Sequence, residues 1–216
     1  MGLFGSGPTV LDKGLAAFKR RDWKRARKLL ARADVEDASA SGSYHLGLLQ
    51  WRGLGGPRDV HKATRHFARA ADDGHPGAQT ALALALRSGV GAPKDLEAAH
   101  QLFRLAASSG DAEAMTQLAT MSEPSEAQQW LLRASELGHP VAMLHLSDLI
   151  MRDEPVEALA WLYASVAVSG DHACRKRAAA LAREMSAVEI EAAQKAGRSY
   201  AKDVQSKAKA RAGADA

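Results

Sequence analysis

Small and apolar residues recur at three- and four-residue steps along most of the chain. Ala63, Phe67, Ala70 and Ala71 stand at i, i+4, i+7 and i+8, with Arg65, Arg69 and Asp72 between them, which is the pattern of a helix with one buried face. Ala78, Leu82 and Leu86 form the same stripe on the following segment. Between the two stripes, Gly74 stands where a helix end requires a left-handed residue. Pro76 stands at a first helical position, where its missing N–H costs nothing. The pattern predicts two helices joined by a tight turn. Upstream, Leu15, Phe18, Trp23, Ala26, Leu29 and Leu30 predict another pair broken near Arg21 and Asp22, followed by a loop over residues 34–42. Downstream, 175–185 and 188–204 read as closing helices, and 205–216 is a Lys, Ala and Gly stretch with little to bury, expected to fray.

The turn is repeated. Glycine, then His or Asp, then two variable residues and a small one, occurs from Gly74, Gly110, Gly138 and Gly170, at spacings of 36, 28 and 32. At a constant offset of 36, Leu46 matches Leu82, Gly53 matches Gly89, Gly55 matches Gly91, Pro57 matches Pro93 and Asp59 matches Asp95. Ala63 then matches Ala99, and Phe67 matches Phe103. A third unit keeps Ala114 and Leu118 in register, loses eight residues where the Gly-x-Gly loop stood, and resumes with Ala127, Leu131 and Ala134. A fourth runs through Ala142, Leu146, Leu159, Tyr163 and Val166, again without the loop. Periodicity on this scale is the signature of stacked supersecondary units.

Composition agrees. In 216 residues there are 45 Ala against 11 aromatic residues, so a core must come from closely approaching helices, and a β-rich fold is not expected. Cys174 stands alone and forms no intrachain disulfide or zinc cluster. No segment reaches the roughly 18 apolar residues of a membrane span. These features fit a cytoplasmic protein. Charge is unevenly placed: nine Lys and Arg against two acids over 12–32, ten against four over 175–211, and ten against eighteen between them.

Candidate chemistry is sparse. His61 and His66 are five apart and do not share a helical face in metalloprotease order. His75, His139 and His172 belong to the turns, and Cys174 occupies the small-residue position of Ala78, Ala114 and Ala142. Residues 53–57 and 89–93 are Gly-rich but lack the Lys-Ser/Thr of a phosphate loop. No catalytic, metal or cofactor site is expected. Lys19, Arg20, Arg21, Lys24, Arg25, Arg27, Lys28 and Arg32 make a basic patch with few interleaved aromatics, which does not favour nucleic acid. Residues 1–6 fit an acylation pattern, and one acyl chain with the basic helices would supply the two signals that stable membrane anchoring requires.

Leu46-Gly47, Gly53-Leu54-Gly55, Asp59, Lys62-Ala63, Phe67, Ala70-Ala71 and Gly74 resemble the Sel-1-like repeat family, relatives of the tetratricopeptide repeats, and the second unit matches equally. Gln50 and Leu86 depart from it, standing where the family has an aromatic residue. The resemblance implies an all-α, right-handed superhelix of stacked antiparallel helix pairs, acting as a non-enzymatic scaffold or adaptor for another protein. The expected layout is a leader over 1–11, a basic capping pair over 12–37, about four repeats over 38–171, capping helices over 172–204 and a disordered tail over 205–216. A partner protein is expected on the concave face, with no small-molecule substrate. The candidate contacts are His45, Leu48, Trp51, Arg52, Leu84, Arg87, Gln117, Thr120, His145, Asp148 and Met151. Binding of an anionic surface, nucleic acid or membrane, through the basic N-terminal helices is the alternative.

Overall fold

The computed structural model describes residues 7–36 and 39–214, and every regular element among them is an α-helix. In chain order these are α1 (Val10–Lys19), α2 (Trp23–Glu36), α3 (Ala40–Arg52), α4 (Val60–Asp72), α5 (Pro76–Ser88), α6 (Leu96–Ser108), α7 (Ala112–Ala119), α8 (Pro124–Glu136), α9 (Pro140–Ile150), α10 (Pro155–Ser169), α11 (His172–Ala182) and α12 (Ala187–Ala214). The chain divides into two compact units, Met1–Ser109 and Gly110–Ala216.

Helix ends follow from side chains that satisfy the free N–H groups of a first turn. Asp59, Asp95, Asp111 and Asp171 accept hydrogen bonds from the backbone N–H of Lys62, Ala98, Ala114 and Cys174 at 2.8–3.0 Å. His75 does the same through Nδ1 for Ala78. Gly74, Gly110, Gly138 and Gly170 all have positive φ, from 68° to 86°, as the repeated turn requires.

Three expected boundaries move. α1 starts at Val10, ahead of residue 12, because Thr9 and Asp12 form a reciprocal capping box. Both described ends of the predicted 34–42 loop are helical: α2 continues to Glu36, and Ser39 caps α3, from Ala40, by accepting from Gly42 N–H. α12 runs past Val204 to Ala214, where a frayed tail was expected. Its Gln, Lys and Ala residues are strong helix formers that extend an already anchored helix. The acylation pattern at residues 1–6 lies outside the described residues.

In the first unit, α1 with α2, α3 with α4, and α5 with α6 pack as hairpins. Ala63, Ala70, Ala99, Ala106 and Phe103 are fully buried, and Phe67 is almost so. The small side chains let the helix axes approach: a Cβ built on Gly47 would lie 2.6 Å from the Phe67 ring. The first hairpin joins α3 through a cluster of Ala17, Ala26, Leu30, Leu46 and Leu49.

The Gly-rich loops do more than connect. Gly55 has φ 73° and lies so close to the Trp23 carbonyl, at the start of α2, that any Cβ would collide with it. Gly91, with φ 80°, lies the same way against Val60 and Thr64 at the start of α4. Its carbonyl sits 3.1 Å from His61 Nδ1. Each loop therefore fastens its own hairpin to the second helix of the preceding one.

In the second unit, α7 pairs with α8 and α9 with α10, while α12 lies along α10. α10 is apolar over most of its circumference, as expected of a helix with neighbours on several sides, and Leu159, Ala160, Leu162 and Ala164 are fully buried. Gly197 allows α12 to come close: a Cβ there would meet Ala160 O at 2.7 Å and Tyr163 Cβ at 2.8 Å. Farther along, Tyr200 stacks on Trp161 at 4.4 Å and donates to both Glu157 oxygens at 2.9 and 3.0 Å. Burial, then the Glu157 carboxylate, pushes its phenol up to about 12.

Candidate protein-interaction surface

In the first unit, the candidate positions lie on α3 and α5. His45 is half-buried, held by Ser41 O at 2.7 Å and by the edge of the Phe18 ring at 4.8 Å, so α1 engages much of it. Leu48 and Leu84 are half-buried, and Arg52 is exposed. Trp51 and Arg87 occupy equivalent places 36 residues apart and perform one task. The Trp51 ring lies 6.0 Å from the Phe67 ring, and the Arg87 guanidinium sits 5.7 Å above the Phe103 ring. Each is the lid of its hairpin. Nothing in the local pattern of either helix marks this role; it emerges only when Trp51 and Arg87 are aligned above Phe67 and Phe103.

The basic patch splits by role. Arg27 donates to Leu54 O and Pro57 O at 3.5 and 3.0 Å, clamping the first Gly-rich loop. Arg32 pairs with Glu36 at 3.0 Å. Lys19, Arg20, Arg21, Lys24, Arg25 and Lys28 are exposed. Beside this hairpin, Asp34 accepts from Ser43 Oγ at 2.5 Å and Arg69 Nη1 at 3.2 Å, with His66 Nδ1 at 3.6 Å. Burial lowers the His66 pKa, with Asp34 opposing and Arg69 reinforcing that shift. The cluster ties α2, α3 and α4 together, and Ser43 is bonded to the carboxylate rather than to the imidazole, so no nucleophile and base are paired in it.

In the second unit, Gln117 donates to Glu113 at 2.5 Å and Thr120 donates to Gln117 O at 2.7 Å. Asp148 is bound by Arg177 through Nε at 2.8 Å and Nη2 at 2.5 Å. Three candidates, Thr120, His145 and Asp148, converge on one notch of about 320 Å³ between α7, α8 and α9, whose apolar walls include Leu131 and Leu149. Met151 stands apart from them, beside Arg177 and Leu181. Cys174 is buried, accepts from Ser165 Oγ at 3.2 Å, and has its thiol pKa raised chiefly by burial, the opposite of an activated thiolate. Among the described residues, no group of His, Cys, Asp and Glu has metal-binding geometry and no helix is long and apolar enough to cross a membrane.

Comparison with known proteins follows the same divisions. The Sel1 repeat family matches residues 40–75, 76–111 and 112–139. The chain carries three Sel1 repeats. The fold agrees with a solved Sel1 repeat protein from Oxalobacter formigenes at a TM-score of 0.72 and 22% identity, covering 90% of this chain and 83% of that one. It also agrees with c5321, described as a protective antigen present in uropathogenic Escherichia coli strains displaying an SLR fold. There the TM-score is 0.55 at 18% identity, over 92% of this chain and 55% of that one. A comparison with curated proteins finds no match.

The three Sel1 repeats are α3 with α4, α5 with α6, and α7 with α8. Sel1 repeats generally serve as scaffolds for protein–protein interaction. The third repeat is eight residues shorter than the others, the loss read from the chain alone. Its first helix has 8 residues against 13 in α3 and α5.

Proposed function

We propose that this Sel1-repeat chain is a non-enzymatic scaffold that holds a partner protein on the faces of its first helices, α3 and α5 in one unit and α7 and α9 in the other. The observation that carries the reading is the mixed surface left on those helices. Leu48, Leu84 and Met151 are partly buried apolar side chains that keep some surface, interspersed with exposed Arg52, Thr120 and Asp148. Partly exposed apolar area ringed by polar groups suits recognition of another protein. The polar clusters elsewhere serve the turns and the joints between helices.

Immobilised full-length chain tests this through affinity capture and mass spectrometry, run beside a Leu48→Ser, Arg52→Glu double variant. A partner enriched by the natural chain and lost from a variant with an unchanged helical melting curve supports the proposal. Identical capture profiles from the two chains count against it.

A further inference from the structure

The notch in the second unit arises from the shortening of the third repeat. At an offset of 36, then 28, the equivalents of Phe67 are Phe103 and Leu131. In the first two repeats that residue is covered by the last turn of the first helix, through Trp51 over Phe67 and Arg87 over Phe103. In the third repeat, α7 stops at Ala119 and the lid position has been deleted. Five fewer residues shorten a helix by about 7 Å. The notch lies at that shortened helix end, lined by Ala119, Thr120, Ala127, Leu131, His145 and Leu149.

We propose that a partner protein supplies the missing lid: a peptide segment that inserts an aromatic side chain over Leu131 and places a basic residue beside it. The proposal rests on the scaffold reading and names the partner's chemistry. An aromatic ring fits because the floor is aliphatic. It offers no π face to a guanidinium, whereas Phe103 does so to Arg87, and an indole or phenyl ring would bury its area against Leu131 and Leu149. The basic neighbour follows from charge. On the other side of Leu149, which lines both, lies a second hollow of about 300 Å³ edged by Asp153 and Glu154. Both carboxylates are exposed, neither makes an ion pair among the described residues, and Glu154 does not cap α10. Asp148, by contrast, is already taken by Arg177. An aromatic anchor with an adjacent cation is also the composition enriched at interface hot spots.

The experiment is selection of a random peptide library, displayed on phage, against the full-length chain. Selected peptides are then titrated against natural chain and variants, with thermal melting as the folding control. Thr120→Trp plugs the notch from its exposed rim and leaves the core untouched, and Asp153→Lys with Glu154→Lys reverses the outer charge. Expected are enriched peptides that pair Trp, Phe or Tyr with Lys or Arg, and an affinity loss of about tenfold or more for each variant. Failure to enrich such peptides, or affinity unchanged by Thr120→Trp, overturns the proposal. Peptides that ignore Thr120→Trp but are lost on Leu48→Ser with Arg52→Glu would overturn the notch while leaving the scaffold reading intact. A protein captured by the natural chain and retained by every variant would sink that reading separately.

Discussion

Residues 40–111 and residues 112–139 carry the same repeat in two lengths. In the longer form, the first helix runs 13 residues, ends at a left-handed glycine and closes over a phenylalanine with Trp51 or Arg87. A second left-handed glycine then fastens the loop to the preceding hairpin. In the shorter form the helix stops after 8 residues at Thr120, with no glycine cap and no lid. The hairpin itself survives: Ala114, Leu118, Ala127, Leu131 and Ala134 remain buried. Pairing of two helices and closure above them are thus separable properties, and the loop residues supply the second.

The widest gap between the two forms should appear on truncating their central large residue. Phe103 is fully buried beneath its lid, whereas Leu131 is 4% exposed at the floor of an open notch. Phe103→Ala is expected to lose about 4 kcal/mol, because it creates an enclosed cavity as well as removing apolar area. Leu131→Ala, opening onto a space already continuous with solvent, is expected to lose about 2 kcal/mol. Urea melts with matched slopes measure both. Equal losses would show that the notch does not relax the packing around Leu131.

The loop's fastening role is sharpened by two glycines with the same backbone angle. Gly74 and Gly91 both have φ 80°, but a Cβ at Gly74 meets nothing within 4 Å, and one at Gly91 runs into Thr64 and the Val60 carbonyl. Gly74→Ala is expected to lose about 1 kcal/mol from the left-handed backbone alone. Gly91→Ala adds a clash with backbone and is expected to lose about 3 kcal/mol. Near-equal melting shifts would mean that the loop is free to lift away from α4.

Those two glycines also mark where sequence reading succeeds and stops. Gly74 was legible because its reason is local: a helix end, a left-handed residue, a proline two positions on. Gly91 was legible only as part of a connection, since its reason is a carbonyl 31 residues earlier. The same holds for the candidate contacts. Thr120, His145 and Asp148 stand among eleven candidates with nothing in the chain to single them out, and their common place at the notch appears only in the structure; Trp51 and Arg87 stand in the same set with no sign that both cover a phenylalanine. The position of α12 along α10 was equally hidden. α10 is apolar over most of its circumference, so its periodicity points to no particular neighbour.

The smallest difference between the two repeat forms lies in their second N-cap. By offset, Asp59 and Asp95 of the full repeats correspond to Glu123 of the short one. The two aspartates accept from the Lys62 and Ala98 N–H groups at 3.0 and 2.9 Å, and Glu123 makes no capping bond. One extra methylene carries its carboxylate past the first turn. The backbone is nonetheless ready: Glu123 has φ −62° and ψ 154°, close to the φ −65° and ψ 171° of Thr9, which does cap. Asp95→Ala should therefore lose about 1 kcal/mol, while Glu123→Asp should gain about 0.5 kcal/mol, read as opposite shifts in melting temperature. The bond from Lys62 N–H holds the Asp59 carboxyl below the usual aspartate range. A depressed folded pKa makes the cap's contribution complete above the unfolded value near 4 and removes it as pH falls through the lower folded value. If Glu123→Asp forms the same bond, its gain should vanish over that same acid interval; a gain that persists below it would come from somewhere other than the cap.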